Sequence, residues 1–287
     1  MKYDNRFFRL KEILCGYISS EEARNSEELR IKRGARYVVR RNGINVIGDT
    51  VISNSMFDNM FSAVCRGSYH TYADSAIKGF IPAGEGIRVG VSGQAVCDDR
   101  RIINIKDIDY MVIRIPRFIR GICGPLTERI RENGGGVMIY SPPGVGKTTV
   151  LRDLACTLSS PPINGRVILI DARNELYLSE MKSFPLISSF CGYPKGQAVE
   201  AAIRASSPDY IISDEIGSND EAKAISENVG SGVAFIASAH ASSVGELLSK
   251  PAVSLLDKIG AFNSYCGIER RKNGAVVYNF FPDKENA

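Results

Sequence analysis

The chain has 287 residues, 44% hydrophobic and 24% charged, a balance ordinary for a soluble protein that buries one large or two medium cores. A net charge of +4 is too small to demand a nucleic-acid partner, and seven scattered cysteines with no CxxC pair exclude a disulfide framework and a zinc site, leaving reduced core residues. No apolar run approaches the length of a membrane span, and the N-terminal MKYDNRFFRL lacks the apolar core of a signal peptide, so a cytosolic protein is expected.

In chain order, ELRIKRGARYVVRRNGINVIG alternates in short runs around Asn42-Gly43, a dipeptide suited to a type I′ hairpin turn because both central residues need positive φ. SNSMFDNMFSAVC and YHTYADSAIKG then have helical spacing, and Gly-rich strands follow at IPAGEGIRVGVSGQAV and MVIRIP. Residues 1–120 thus read as a small α+β domain. GICGPL and ENGGG bracket a short helical LTERIRE, making 121–136 a linker with one helix. From 137 to 287 the order becomes strand, helix, strand, helix, with VMIY, VILID, YIISDE and VAFIASAH as apolar runs of the kind buried on both faces of a parallel sheet. QAVEAAIRAS and NDEAKAISENVG supply crossover helices, and a hairpin around Asn273-Gly274 closes the chain. The predicted fold class is α/β, a RecA-like P-loop NTPase sheet with helices on both faces, preceded by the smaller α+β domain.

The most informative stretch is VMIYSPPGVGKTT, residues 137–149. An apolar strand enters a Gly-rich turn that ends at a helix start, where backbone N–H groups and the helix dipole together hold anions. Gly144 and Gly146 suit the positive φ and close approach of such a loop, Lys147 reaches β and γ oxygens, and the Thr148 hydroxyl ligates Mg²⁺. The cradle for ATP is Pro143, Gly144, Val145, Gly146, Lys147, Thr148 and Thr149. Position 141 departs from GxxxxGK[ST], holding Ser where the pattern has Gly.

YIISDE ends in two carboxylates, read as Asp214 holding the Mg²⁺ shell and Glu215 orienting the attacking water; two solvated acids at a strand end are the plainer alternative. His240 closes VAFIASAH, where a strand beside the phosphate-loop strand would bring it to the γ-phosphate as a sensor; a hydrogen-bonded structural histidine is its alternative. His70, between Tyr69 and Tyr72, takes only the structural reading. Asp171, Arg173 and Glu175 in VILIDARNEL lie near the same sheet edge with contacts to water, nucleotide or a neighbouring subunit, or a solvated loop, all open.

SPPGVGKTTVLRDLA, LIDARNEL, IRASSPDYIISDEIG and the Ala239-His240 pair, with ELRIKRGA, IPAGEGIRVGVSGQAV and VIRIPRFIRGI before them, resemble the stage III sporulation protein AA family, part of the wider type II/type IV secretion group of P-loop ATPases. The resemblance spans nearly the whole chain. It implies a cytoplasmic, ring-forming ATPase motor, hexameric, docked on membrane-embedded channel proteins between mother cell and forespore. It further implies arginines completing the nucleotide site from the N-terminal domain or a neighbouring subunit; the candidates are Arg88, Arg114, Arg117, Arg204, Arg270 and Arg271, with Arg204 preferred and Arg270 and Arg271 read as solvated charge. Two other readings stand beside the motor. One is a single-stranded nucleic-acid-binding ATPase using Arg30, Lys32, Arg33, Arg36, Arg40 and Arg41, the less favoured partner class; the other is a nucleotide-gated scaffold with negligible turnover.

Overall fold

The computed structural model describes residues 5–41, 43–228, 232–271 and 274–281. Asn42 and Asn273, named above as turn residues, lie outside the described residues; Gly43 and Gly274 beside them have φ of +80° and +86°. The chain divides into two compact units, Met1–Arg117 and Phe118–Ala287.

The first unit opens with helices α1 (Asn5–Leu14) and α2 (Ser20–Arg24), then strands β1 (Glu28–Lys32), β2 (Arg36–Arg41) and β3 (Ile44–Val51). Helices α3 (Asn54–Val64) and α4 (Ala73–Ile77) follow, and then β4 (Phe80–Gly84), β5 (Ile87–Asp98) and β6 (Arg101–Arg114). The strands pair antiparallel in the order β3-β2-β1-β6-β5-β4. Period-2 alternation decides which residues enter the core, so Leu29 and Ile31 of β1 and Met111 and Ile113 of β6 are fully buried. Against them lie Phe57, Met60 and Val64, spaced three and four apart on α3, whose N-terminus is capped by the Ser53 hydroxyl accepting from Met56 N–H. β6 begins ten residues before the MVIRIP run read from the sequence. Its first half is solvent-facing and carries Asn, Lys and Asp between the isoleucines, which hides it from an apolar-run reading.

The second unit carries α5 (Gly124–Asn133), β7 (Val137–Ser141), α6 (Lys147–Leu158), β8 (Val167–Asp171), β9 (Ile187–Cys191), α7 (Lys195–Ser206) and β10 (Tyr210–Glu215). It continues with α8 (Asn219–Ser226), β11 (Ala234–His240), α9 (Val244–Ser249), α10 (Pro251–Lys258), β12 (Ser264–Arg270) and β13 (Val276–Phe281). The sheet order is β13-β12-β7-β11-β10-β8-β9, parallel throughout except for the antiparallel edge strand β13. β7 and β8 are buried at every residue, as apolar strands between two helical layers must be, and separate cores fill the two faces. The edge strand β9, ISSFC, has two serines and no apolar run, so nothing in its composition announced it.

The cysteine expectation needs correction. Cys65, Cys123, Cys156 and Cys266 are buried, but Cys15, Cys97 and Cys191 are exposed thiols rather than core residues. Inside the second unit Asp153 of α6 is fully buried and accepts from the backbone N–H groups of Gly121, Ile122 and Cys123 (3.0, 2.6 and 2.9 Å), with the Arg120 guanidinium 3.2 Å away. Four donors compensate a carboxylate that burial alone would expel. The helix that starts at the phosphate loop is thereby tied to the segment that opens its own unit.

Candidate functional site

β7 delivers the chain to Ser141, and α6 starts six residues later at Lys147. Between them Gly144 and Gly146 take φ of +80° and +118°, and a Cβ at either would meet nothing within 4 Å. Backbone dihedral, not crowding inside this chain, is what requires glycine there. Gly146 is the N-cap of α6 and has no side chain to satisfy the first-turn N–H groups, which leaves those of Lys147 and Thr148 available to an anion at the positive end of the helix dipole. Pro143 is exposed, Val145 packs its side chain on the core below, and Thr149 N–H bonds back to the Gly146 carbonyl (3.0 Å), so the loop is held from beneath and open above.

Ser141 does not adopt positive φ, because it still belongs to β7; this is why the motif position tolerates a side chain. Lys147 Nζ donates to the Ser141 carbonyl (3.0 Å) and lies 3.3 Å from its hydroxyl, which itself donates to the Pro142 carbonyl (2.9 Å). The serine thus adds an acceptor for the lysine. Ser141→Gly is expected to leave the fold intact and to change nucleotide affinity by less than about threefold, as titration calorimetry would measure, since the hydroxyl's contact with the ammonium is long and Lys147 keeps the Ser141 carbonyl as acceptor.

Lys147 is nearly buried, and desolvation lowers its pKa against the opposing pull of Glu215 and Asp214. Its third contact is His240 Nδ1 at 2.8 Å. An ammonium has donors only, so Nδ1 accepts and the histidine proton sits on Nε2. Nε2 faces Glu215 Oε2 at 3.8 Å. This contact follows from topology: β11 lies between β7 and β10, with His240 in register with Ser141. The two acids therefore stand one strand away from the phosphate-loop strand, and His240 fills the gap.

Successive strand residues point to opposite faces, so Asp214 and Glu215 should diverge. A bulge prevents that: Ser213 pairs Ala237 while Glu215 pairs the next residue, Ser238, leaving Asp214 as the extra residue. The bulge is braced on three sides. Ser238 Oγ donates to the Asp214 carbonyl (3.1 Å), Ile216 N–H to the Ser238 carbonyl (2.8 Å), and Lys195 Nζ to the Glu215 carbonyl. With the strand so bent, Asp214 Oδ1 accepts from the Thr148 hydroxyl (3.3 Å) while Glu215 turns to His240 and to Arg173, whose Nη1 is 3.3 Å from Oε2. Desolvation, with Glu175 as a nearby like charge, raises the Asp214 pKa. A hydroxyl and a desolvated carboxylate in contact are an oxygen pair of the kind a Mg²⁺ ion takes, one directly and one directly or through water.

Other candidates are distributed differently. Asp171 is buried and caps the following turn, accepting from the N–H groups of Glu175, Leu176 and Tyr177 (2.8, 2.9 and 2.8 Å), so both its oxygens are engaged within its own loop. Arg204 is not brought to the phosphate loop of its own chain. It lies in the last turn of α7, about 13 Å along the helix axis from Lys195 at the Glu215 end, is 77% exposed, and pairs with Glu200 (2.6 Å). In the first unit Arg88 stacks over the Phe80 ring (3.8 Å), while Arg114 and Arg117 face Glu28 and Glu27 (3.6 and 3.5 Å). Of the basic residues around the first hairpin, Arg30, Arg33, Arg40 and Arg41 are ion-paired with Glu28, Asp58, Glu27 and Glu22. Those charges are largely compensated within the unit, which weakens the case for a phosphate-backbone track. His70 sits in a short 3₁₀ turn with its ring edge to Tyr69. Sequence reasoning missed Lys195 and left the role of Arg173 open. Lys195 carried no local signal, and Arg173 was noticed without its partner, which lies on another strand.

A family model described as sporulation stage III, protein AA, matches residues 9–286. The chain belongs to that family. Stage III sporulation protein AA of Bacillus subtilis (strain 168) is 30% identical over 235 residues, 79% of this chain and 76% of that protein. An uncharacterized protein ycf45 of Cyanidium caldarium is 32% identical over 170 residues, 56% of this chain and 48% of its own length. Among solved structures, the pilus retraction motor PilT, crystallised with ADP, superposes with a TM-score of 0.65 at 13% identity, covering 92% of this chain and 82% of that one. The ATPase DotB of Legionella pneumophila gives 0.59 at 14%, covering 91% and 77%. At these identities the likeness is one of fold alone, a P-loop α/β sheet preceded by a smaller antiparallel-sheet domain.

Proposed function

We propose that this chain hydrolyses ATP with Mg²⁺ and that the reaction drives a secretion-like assembly during endospore formation. The observation that carries the reading is the convergence of Lys147 and Thr148 of α6, Asp214 and Glu215 of β10, and His240 of β11 on one mouth of the sheet. Gly144 to Thr149 hold the phosphates through main-chain N–H groups and Lys147, and Thr148 with Asp214 hold the metal. A Mg²⁺ ion held by Thr148 and Asp214 would supply charge neutralisation for the phosphates. Glu215 orients the attacking water, and His240, bonded to Lys147 and facing Glu215, links phosphate contact to water contact.

A ring, taken here as a hexamer, places each site beside a neighbouring subunit, from which Arg204 or an arginine of the first unit completes the γ-phosphate charge. The ring works in the cytoplasm of the mother cell, peripheral to the membrane through channel proteins; among the described residues no helix is long and apolar enough to cross a membrane. Single-turnover phosphate release from Mg²⁺-ATP, with Lys147→Ala as control, tests the catalytic half. Release equal in both proteins, or absent from the parent, sinks it in favour of a nucleotide-gated scaffold. Native mass measurement with and without a non-hydrolysable ATP analogue tests the ring, and a chain that stays monomeric in both removes it.

A further inference from the structure

The proposed water-orienting carboxylate is engaged on one oxygen only. Arg173 Nη1 (3.3 Å) and His240 Nε2 (3.8 Å) both approach Glu215 Oε2, and among the described residues Oε1 has no partner. Arg173 in turn has no other side-chain or backbone acceptor among the described residues, so its guanidinium is committed to this one contact. Its position is set by Asp171, which caps the turn carrying residues 173–177 from a buried seat at the end of β8, next to β10. A rigid turn therefore presents a cation to the neighbouring strand end.

We infer that Arg173 is a positioning residue, supplied within the same chain, that fixes the Glu215 carboxylate by its Oε2 and leaves Oε1 aimed outward to accept a hydrogen bond from the attacking water. This rests on the ATPase reading above and deepens it. The division of labour has a chemical basis. A carboxylate free to rotate presents either oxygen and either lone-pair direction, whereas a cation pinned to one oxygen fixes the plane of the group before substrate arrives. The pair is no stability device: Arg173 is 53% exposed, where screening leaves such contacts little weight in folding.

The test compares Arg173→Ala and Arg173→Lys with the parent. Arg173→Ala is expected to lower kcat about 10- to 100-fold, with KM for ATP within about twofold and the Tm unchanged. Arg173→Lys restores part of the rate because it keeps the charge but not the planar fork, and added guanidinium ion partly rescues the alanine variant. In a Glu215→Gln background Arg173→Ala has no further effect on single-turnover release. An active parent with an equally active Arg173→Ala overturns the inference and leaves the ATPase reading standing; an inactive parent overturns both. Loss of ATP-analogue binding in Arg173→Ala also overturns it, by assigning the arginine to the nucleotide itself.

Discussion

Glu215→Gln is expected to reduce single-turnover hydrolysis by about 10²- to 10⁴-fold while leaving the affinity for Mg²⁺-ATP within a few fold, because a positioned general base acts only on the transferring proton. The geometry explains why binding and turnover separate. Among the described residues the Glu215 side chain makes no hydrogen bond or ion pair with Lys147, Thr148 or the glycines of the loop; its paired partners are Arg173 and His240. The amide keeps the size and one acceptor oxygen but cannot take a proton, and its lost charge removes the attraction that orders Arg173. Rapid-quench phosphate release under saturating enzyme, with analogue binding measured on the same preparation, checks both halves. A variant that turns over at the parent rate, or one that fails to bind, would take Glu215 out of the role assigned to it. Lys147→Ala gives the opposite signature, losing the analogue, because its ammonium stands at the loop where the phosphates lie.

How much of this could be read from the residues varies with the range of the interaction. The strands of the second unit announce themselves because burial on both faces makes VMIY and VILID continuous apolar runs, and the glycines at 144 and 146 announce the loop because only they take those dihedrals cheaply. The edge strand β9 and the outer half of β6 are defined by hydrogen bonding to a neighbour rather than by burial, so their polar composition is silent about them. The same division holds in the site. Lys147, Thr148, Asp214 and Glu215 sit at strand and helix ends whose type is local knowledge. What aligns them is not: the insertion of β11 between β7 and β10, the bulge at Asp214 and the reach of Lys195 and Arg173 across strands depend on partners 20 to 93 residues away in the chain. Arg204 shows the converse, a residue whose neighbourhood in the sequence suggested a site that helix geometry puts at the far end of α7.

Asp214→Asn should abolish Mg²⁺-dependent turnover and, in the nucleotide-free protein at neutral pH, make the fold more stable. Desolvation raises the pKa of Asp214, and Glu175 adds repulsion, so ionisation of this group opposes folding. The sign follows from linkage: a folded-state pKa above the unfolded value gives a contribution to stability that is fully present below the unfolded pKa and is lost as pH rises through the folded one. The neutral amide never loses it, and its oxygen still accepts from the Thr148 hydroxyl in place of Oδ1. The variant's Tm should therefore exceed the parent's at neutral pH. The gap should close as the pH falls toward the ordinary carboxylate range. Adding Mg²⁺ and an ATP analogue should invert the order, since the parent keeps the metal-holding carboxylate, binds the pair more tightly and is stabilised more by it. Scanning calorimetry across pH, with and without the ligand, reads all three effects; a parent more stable than the variant at neutral pH without ligand would mean that the Asp214 charge is already compensated by the protein, leaving no deficit for a metal ion to fill.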